Sequence, residues 1–111
     1  MDTRRNKTLK IINKFLETIT KEMNIEKVML FGSNVKKKNT RWSDIDLAIV
    51  SDDFKYIDCF DRLVKLGKVA WDSHTTVIEP IGFTKEEFAD DSPWNFVSEI
   101  KKTGEIIYQK K

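Results

Sequence analysis

Two short groups of residues in this 111-residue chain have the types and spacing to do chemistry: Gly32-Ser33, then, after ten residues, Asp44-Ile45-Asp46. A glycine directly after an apolar run lets backbone approach a ligand with no Cβ in the way. The amides that follow, with the Ser33 hydroxyl, can donate hydrogen bonds to phosphate oxygens. If Asp44 and Asp46 lie on a strand, they point to one face while Ile45 and Leu47 point to the other. Their Cα atoms are then roughly 6.5 to 7 Å apart, and their oxygens can converge on a hard cation that also binds phosphate, Mg²⁺ above all. Two such ions about 3.5 to 4 Å apart would serve an in-line displacement at phosphorus, with a further carboxylate close by to complete the second site. Each piece alone has a plainer reading, a turn for Gly-Ser and a solvated strand end for Asp-x-Asp. Joined at this spacing, they favour a site.

The flanking pattern supplies the elements that must position them. Leu9, Ile12, Leu16, Ile19 and Met23 recur at three- and four-residue steps, which predicts an amphipathic helix from Thr3 to about Met23, packed on a sheet. After Asn24, the run from Glu26 to Phe31 reads as a buried strand ending at Gly32, and Lys36 to Arg41 as an exposed loop. Asp44 to Val50 reads as a central strand. Phe54 to Lys68 has the spacing of a crossover helix that places Ile57, Phe60 and Leu63 or Val64 on one face and stops near Gly67. Thr75 to Glu79 reads as a third strand stopped by Pro80, and Thr84-Lys85-Glu86-Glu87 as a capping box. A short helix is expected near Ser92-Pro93-Trp94, and an edge strand over Glu105 to Tyr108.

Length and composition suit one domain spanning residues 1–111, with 40% apolar and 34% charged residues. Twenty basic against eighteen acidic side chains leave a net charge of +2, too little to identify a dedicated nucleic-acid binder. The single cysteine, Cys59, excludes an intrachain disulfide and a cysteine-only zinc site, and is expected to pack. No apolar run approaches the roughly 20 residues of a spanning helix, and the first residues lack the apolar stretch of a secretion signal, so no membrane partner and a cytoplasmic location are the expectation. His74 stands alone among histidines and is expected to be structural, and no G-x-x-x-x-G-K-[ST] loop occurs. Trp71, Trp94, Phe83, Phe88 and Phe96 read as core or interface anchors.

The stretch from Leu30-Phe31-Gly32-Ser33 through Ser43-Asp44-Ile45-Asp46-Leu47 resembles the signature of the minimal nucleotidyltransferases of the DNA polymerase beta superfamily. The match covers about a fifth of the chain directly, and the order of elements extends it to about residue 80. The resemblance implies an α/β (α+β) nucleotidyltransferase fold, a small mixed sheet with helices packed on one face and an open acidic face on the other. It implies Gly32 and Ser33 at the phosphates of a nucleoside triphosphate, usually ATP, and Asp44 and Asp46 as ligands of Mg²⁺. The family's third acid lies on the next strand, which assigns it to Glu79, with Asp72 in reserve. The family commonly has Asp there. Many relatives also carry a further glycine and arginines after Gly-Ser, whereas this chain has Asn34, Lys36 and Lys37, so Lys36 or Lys37 would meet phosphate as a point charge.

The implied reaction is transfer of NMP, AMP from ATP, to a hydroxyl. A chain this short has little surface for gripping a large acceptor, so the acceptor is expected on a partner. Similar stand-alone domains are often paired with a helical HEPN protein, some of them as antitoxins that add AMP to a toxin's tyrosine. Two other readings stay open: a binding module that neutralises a partner by contact, and a nucleic-acid-binding domain using Lys36-Lys37-Lys38, Arg41 and Trp42.

Overall fold

Lys27–Phe31 (β1) and Ile45–Val50 (β2) pair antiparallel at the centre of the molecule, and nine of their eleven residues are buried. That burial on both faces is what their nearly continuous apolar sequence requires. The computed structural model describes residues 3–32, 45–90 and 92–111. A helix, Thr3–Glu22 (α1), precedes β1. After β2 come a 3-10 turn at Asp52–Phe54, a helix Cys59–Asp72 (α2) and a strand Ile78–Phe83 (β3). Two short helices, Lys85–Phe88 (α3) and Phe96–Thr103 (α4), lead to the strand Glu105–Gln109 (β4). The sheet order is β3-β2-β1-β4. β4 pairs antiparallel with β1, while β3 runs parallel to β2, so α2 is the crossover that a parallel pair needs.

Alternation along the strands divides the core. Val28, Leu30, Ile45, Leu47 and Ile49 meet Ile12, Phe15 and Ile19 of α1 and Leu66 and Val69 of α2. The other face carries Met29, Phe31, Ala48 and Val50, covered by Phe88, Val97 and Ile100. The two long helices thus share one face as expected, and the short α3 and α4 cover part of the second. Asp46 lies on that second face by parity with Ala48 and Val50. Of the expected α1 stripe, Ile12, Leu16, Ile19 and Met23 are all buried, and Phe15 joins them. The Thr84 capping box and the β4 edge strand also form.

Several expectations give way to tertiary structure. The third strand does not end at Glu79: it starts at Ile78 and runs through Pro80. The carbonyls of Val77 and Phe83 accept from Ile45 and Ser51, so the backbone polar groups of every second residue from 77 are turned to β2 and the nitrogen of Pro80 is turned to the open edge. A proline there removes no ladder bond. The crossover helix begins at Cys59, capped by the Asp58 side chain, and extends through Gly67 to Asp72. Its buried face is Arg62, Leu66, Val69 and Ala70, while Phe60, Leu63 and Val64 face outward. Ser92-Pro93-Trp94 belongs to the turn before α4, whose cap is Asn95. Cys59 is exposed rather than packed, Trp71 and Trp94 are exposed and so are not core anchors, Phe96 is half exposed, and His74 holds a left-handed φ of 58° at the end of α2.

Candidate active site

The end of β1 sets the first boundary of the site. Gly32 has φ +85°, a conformation that side chains with a Cβ rarely adopt. A Cβ built there would overlap Asp46 Oδ2 and stand 3.3 Å from its Cγ. The glycine therefore does two things at once: it turns the chain out of the sheet and lets the Asp46 carboxylate lie against the turn. Ser33, Lys36 and Asp44 lie outside the described residues.

Across the sheet, Phe31 is the register partner of Asp46, and Asp46 is the register partner of Glu79. The three side chains form one row over β1, β2 and β3, on the face that also bears Ala48, Val50, Ile81 and Phe83. Neighbouring strands are about 4.8 Å apart, so the two carboxylate stems rise side by side. Asp46 is half-buried and Glu79 exposed, which leaves the row open to solvent on the β3 side. At its β1 end Phe31 is held edge to face by Phe96, with ring centroids 5.8 Å apart. That aromatic pair walls the row off from α4. Like charges directly opposite repel, and a hard divalent cation between them is the natural counter-charge for an all-oxygen donor set. Among the described residues no cluster of three or more His, Cys, Asp or Glu side chains occurs. The donors in hand are Asp46 and Glu79, and they fit Mg²⁺ by chemistry.

Asp72, the reserve acid, is excluded by its place. It ends α2 on the solvent side, where Lys68 Nζ donates to its carboxylate at 2.9 Å. That contact raises the Lys68 pKa above its ordinary value.

The sequence reading passed over Arg62, which fixes the strand that carries Glu79. Its guanidinium donates to the carbonyls of Ile57, Gly82 and Phe54 and pairs with both carboxylate oxygens of Glu87 at 2.6 and 3.0 Å. Glu87 in turn accepts from the Thr84 amide and closes the capping box of α3. One buried cation thus ties the 3-10 turn, α2, β3 and α3 together. The fork shape of arginine suits this use, since a lysine could not meet two carboxylate oxygens in plane. The Arg62 hydrogen bonds hold the Glu87 carboxyl below its usual pKa, and Glu87 raises that of Arg62. A signal existed in the sequence: Arg62, Leu66 and Val69 share a helix face. Gly82 also fits this corner, because a Cβ there would come within 2.8 Å of the Phe54 ring.

A mixed four-stranded sheet with this crossover, a glycine turn at the end of β1 and carboxylates in register on β2 and β3 defines a nucleotidyltransferase of polymerase beta type. The chain belongs to the family described as "Polymerase beta, Nucleotidyltransferase", whose model matches residues 13–111. It is similar to a candidate protein adenylyltransferase of Methanocaldococcus jannaschii, 34% identical over 87 residues that cover 76% of this chain and 79% of that protein. The fold is similar to that of a candidate nucleotidyltransferase from Sulfolobus solfataricus, with TM-score 0.69 and 18% identity over 96% of this chain and 85% of that one. It is also similar to a chain from a toxin-antitoxin structure with AMP-PNP, with TM-score 0.59 and 16% identity over 89% of this chain and 73% of that one. The protein is a nucleotidyltransferase. No helix among the described residues is long and apolar enough to cross a membrane.

Proposed function

We propose that the chain, acting as one domain over residues 1–111, transfers AMP from ATP to a hydroxyl on a partner protein with the help of Mg²⁺. The observation that carries this reading is the row in which Asp46 and Glu79 face one another across β2 and β3 while Gly32 lets the β1 turn close on Asp46.

Gly32 and Ser33 cradle the triphosphate through backbone amides and the Ser33 hydroxyl, and Lys36 adds a point charge. Asp44, Asp46 and Glu79 are the residues that would hold Mg²⁺. When bound, the cation neutralises phosphate charge and stabilises the pyrophosphate leaving oxygen. Glu79, at the open edge of the row, orients the acceptor hydroxyl and takes up its proton. The acceptor oxygen then forms a bond to the α-phosphorus, the bond from that phosphorus to the bridging oxygen breaks, and pyrophosphate leaves with the electron pair.

The protein acceptor is supported by the adenylyltransferase relative and by the fold shared with a toxin-antitoxin chain. A helical HEPN-like toxin is the acceptor we propose. Incubation of the chain with such a protein, Mg²⁺ and ATP labelled at either the α or the γ position tests the reading. Transfer of the α label alone is expected. Transfer of the γ label would mean phosphorylation, and no transfer of either label would remove the reaction. A contact-only binding module would instead retain full neutralisation in the Asp44→Ala, Asp46→Ala double variant.

A further inference from the structure

A helix that packs on a sheet needs an apolar arc of about 100°, yet α2 is apolar over roughly twice that. Its inner arc, Leu66, Val69 and Ala70, is buried with Arg62 against the sheet. The outer arc consists of Phe60, Leu63, Val64, Gly67 and Trp71, with Phe60 71%, Leu63 50%, Val64 56% and Trp71 73% exposed. These positions follow a spacing of three and four residues over three turns, the seam of a helix packed against another helix. At the middle of the seam is Gly67, where an added Cβ would meet no atom within 4 Å. A glycine in an exposed helix interior weakens the helix, and nothing in the fold requires this one. It does make a hole into which a facing side chain can sit.

Beside the seam runs a row of charges, Asp61, Lys65, Lys68 and Asp72, each one residue past a seam position. The row reads minus, plus, plus, minus, and so is symmetric about its centre. A second copy laid antiparallel with its seam in register would set Asp61 against Asp72 and Lys65 against Lys68, like against like. A different helix with acidic residues opposite Lys65 and Lys68 would be matched. The exposed seam presents on the order of 500 Å² of apolar surface, against the roughly 800 Å² that each partner buries in a stable complex. A rim of polar contacts makes up such a difference.

The two ends of the seam are fixed against β3. Arg62, near the start of α2, bonds to Gly82 near the end of β3, while Thr75 bonds back to Ala70 and Ile78 to Thr75 at the opposite end. α2 therefore runs against β3, and Trp71 stands at the end of α2 where β3 begins. The other end opens at Leu63 onto a pocket of about 400 Å³ that Ile81 and Phe83 of β3 also line.

We propose that the outer face of α2 is the seat of one amphipathic helix of the acceptor protein, apolar along its contact stripe and acidic opposite Lys65 and Lys68. The proposal rests on the reading of the chain as a transferase acting on a protein.

The test uses the full chain, labelled with ¹⁵N, and two synthetic amphipathic helical peptides with leucine at heptad a and d positions, one flanked by Glu and one by Lys. The Glu-flanked peptide is expected to shift amides of residues 60–71 and to bind at least 10-fold more tightly than the Lys-flanked one. Gly67→Gln, whose Cβ meets no atom within 4 Å, should give a melting temperature at or above that of wild type, because it removes a glycine from a helix interior, and should weaken that binding at least 10-fold. Equal affinity of the two peptides, shifts confined to other residues, or an unaffected Gly67→Gln variant would overturn the proposal. So would a dimer in sedimentation that Gly67→Gln dissociates, since the seat would then belong to a second copy. The transferase reading is scored separately: Asp44→Ala with Asp46→Ala should lose MgATP binding and keep the peptide shifts, and Gly67→Gln should do the reverse.

Discussion

Asp46 on β2 and Glu79 on β3 are register partners across a parallel strand pair, so two residues 33 positions apart in the chain stand side by side on one face of the sheet. Neither strand alone makes a cation site. Their adjacency brings the two donors of the proposed site together, and the only parallel pairing of the described sheet creates it.

That adjacency predicts a stability effect of Mg²⁺ that can be read without any reaction. A cation that binds the folded chain and not the unfolded one raises stability by mass action, about 2.7 kcal/mol at a hundred times its dissociation constant. The wild-type melting temperature should rise with millimolar Mg²⁺, and Asp46→Asn or Glu79→Gln should remove most of the rise. An equal rise in all three proteins would place Mg²⁺ elsewhere.

Gly32→Ala should damage both fold and function, because alanine disfavours the φ of +85° and its Cβ overlaps the Asp46 carboxylate. The strain is worth about 1 to 3 kcal/mol. Displacing Asp46 by even an ångström should lower transfer about 100-fold. Urea unfolding and the α-label assay together check this, and an alanine variant with wild-type values in both would refute the account of the turn.

Arg62→Met should be among the most destabilising single changes, at about 3 kcal/mol, since it strips Glu87 and three backbone carbonyls of a shared donor. The expected readout is a lower urea midpoint. A midpoint within 0.5 kcal/mol of wild type, on the order of an ordinary surface substitution, would show that the four elements hold together without the clamp.

The same pair gives a pH dependence with a definite sign. The folded pKa of Glu87 lies below its ordinary value of 4.5, chiefly because of the Arg62 hydrogen bonds. Its contribution is therefore fully present above about pH 4.5, the unfolded value, and fades as pH falls through the lower folded value. The hydrogen bond to Glu87 holds the Arg62 pKa above its already high ordinary value, so its share fades only in strong alkali. Glu87→Gln should lower the melting temperature at pH 7 and flatten its fall in acid. Parallel curves for the two proteins would count against the assignment. Because the Glu87 side chain is 45% exposed, solvent screens the pair and the effect should be modest.

By itself the sequence determined the local parts. The α1 stripe, the two central strands, the Thr84 capping box and the turn at Gly32 were all legible, because each depends on residues within a few positions of one another. The family was legible too, through the spacing of Gly32-Ser33 and Asp44-Ile45-Asp46. Tertiary structure decided what depends on pairing between distant segments. Pro80 looked like a stop and is not one, because β3 turned out to be an edge strand in which the nitrogen of that residue is turned away from β2 while its ring is buried. Phe60, Leu63 and Val64 looked like the inner face of α2, since apolar periodicity cannot tell a face that meets the sheet from one that meets a partner. The role of Arg62 was not legible, because a charge is buried only when carbonyls and a carboxylate from other segments converge on it, and their convergence is a property of the fold.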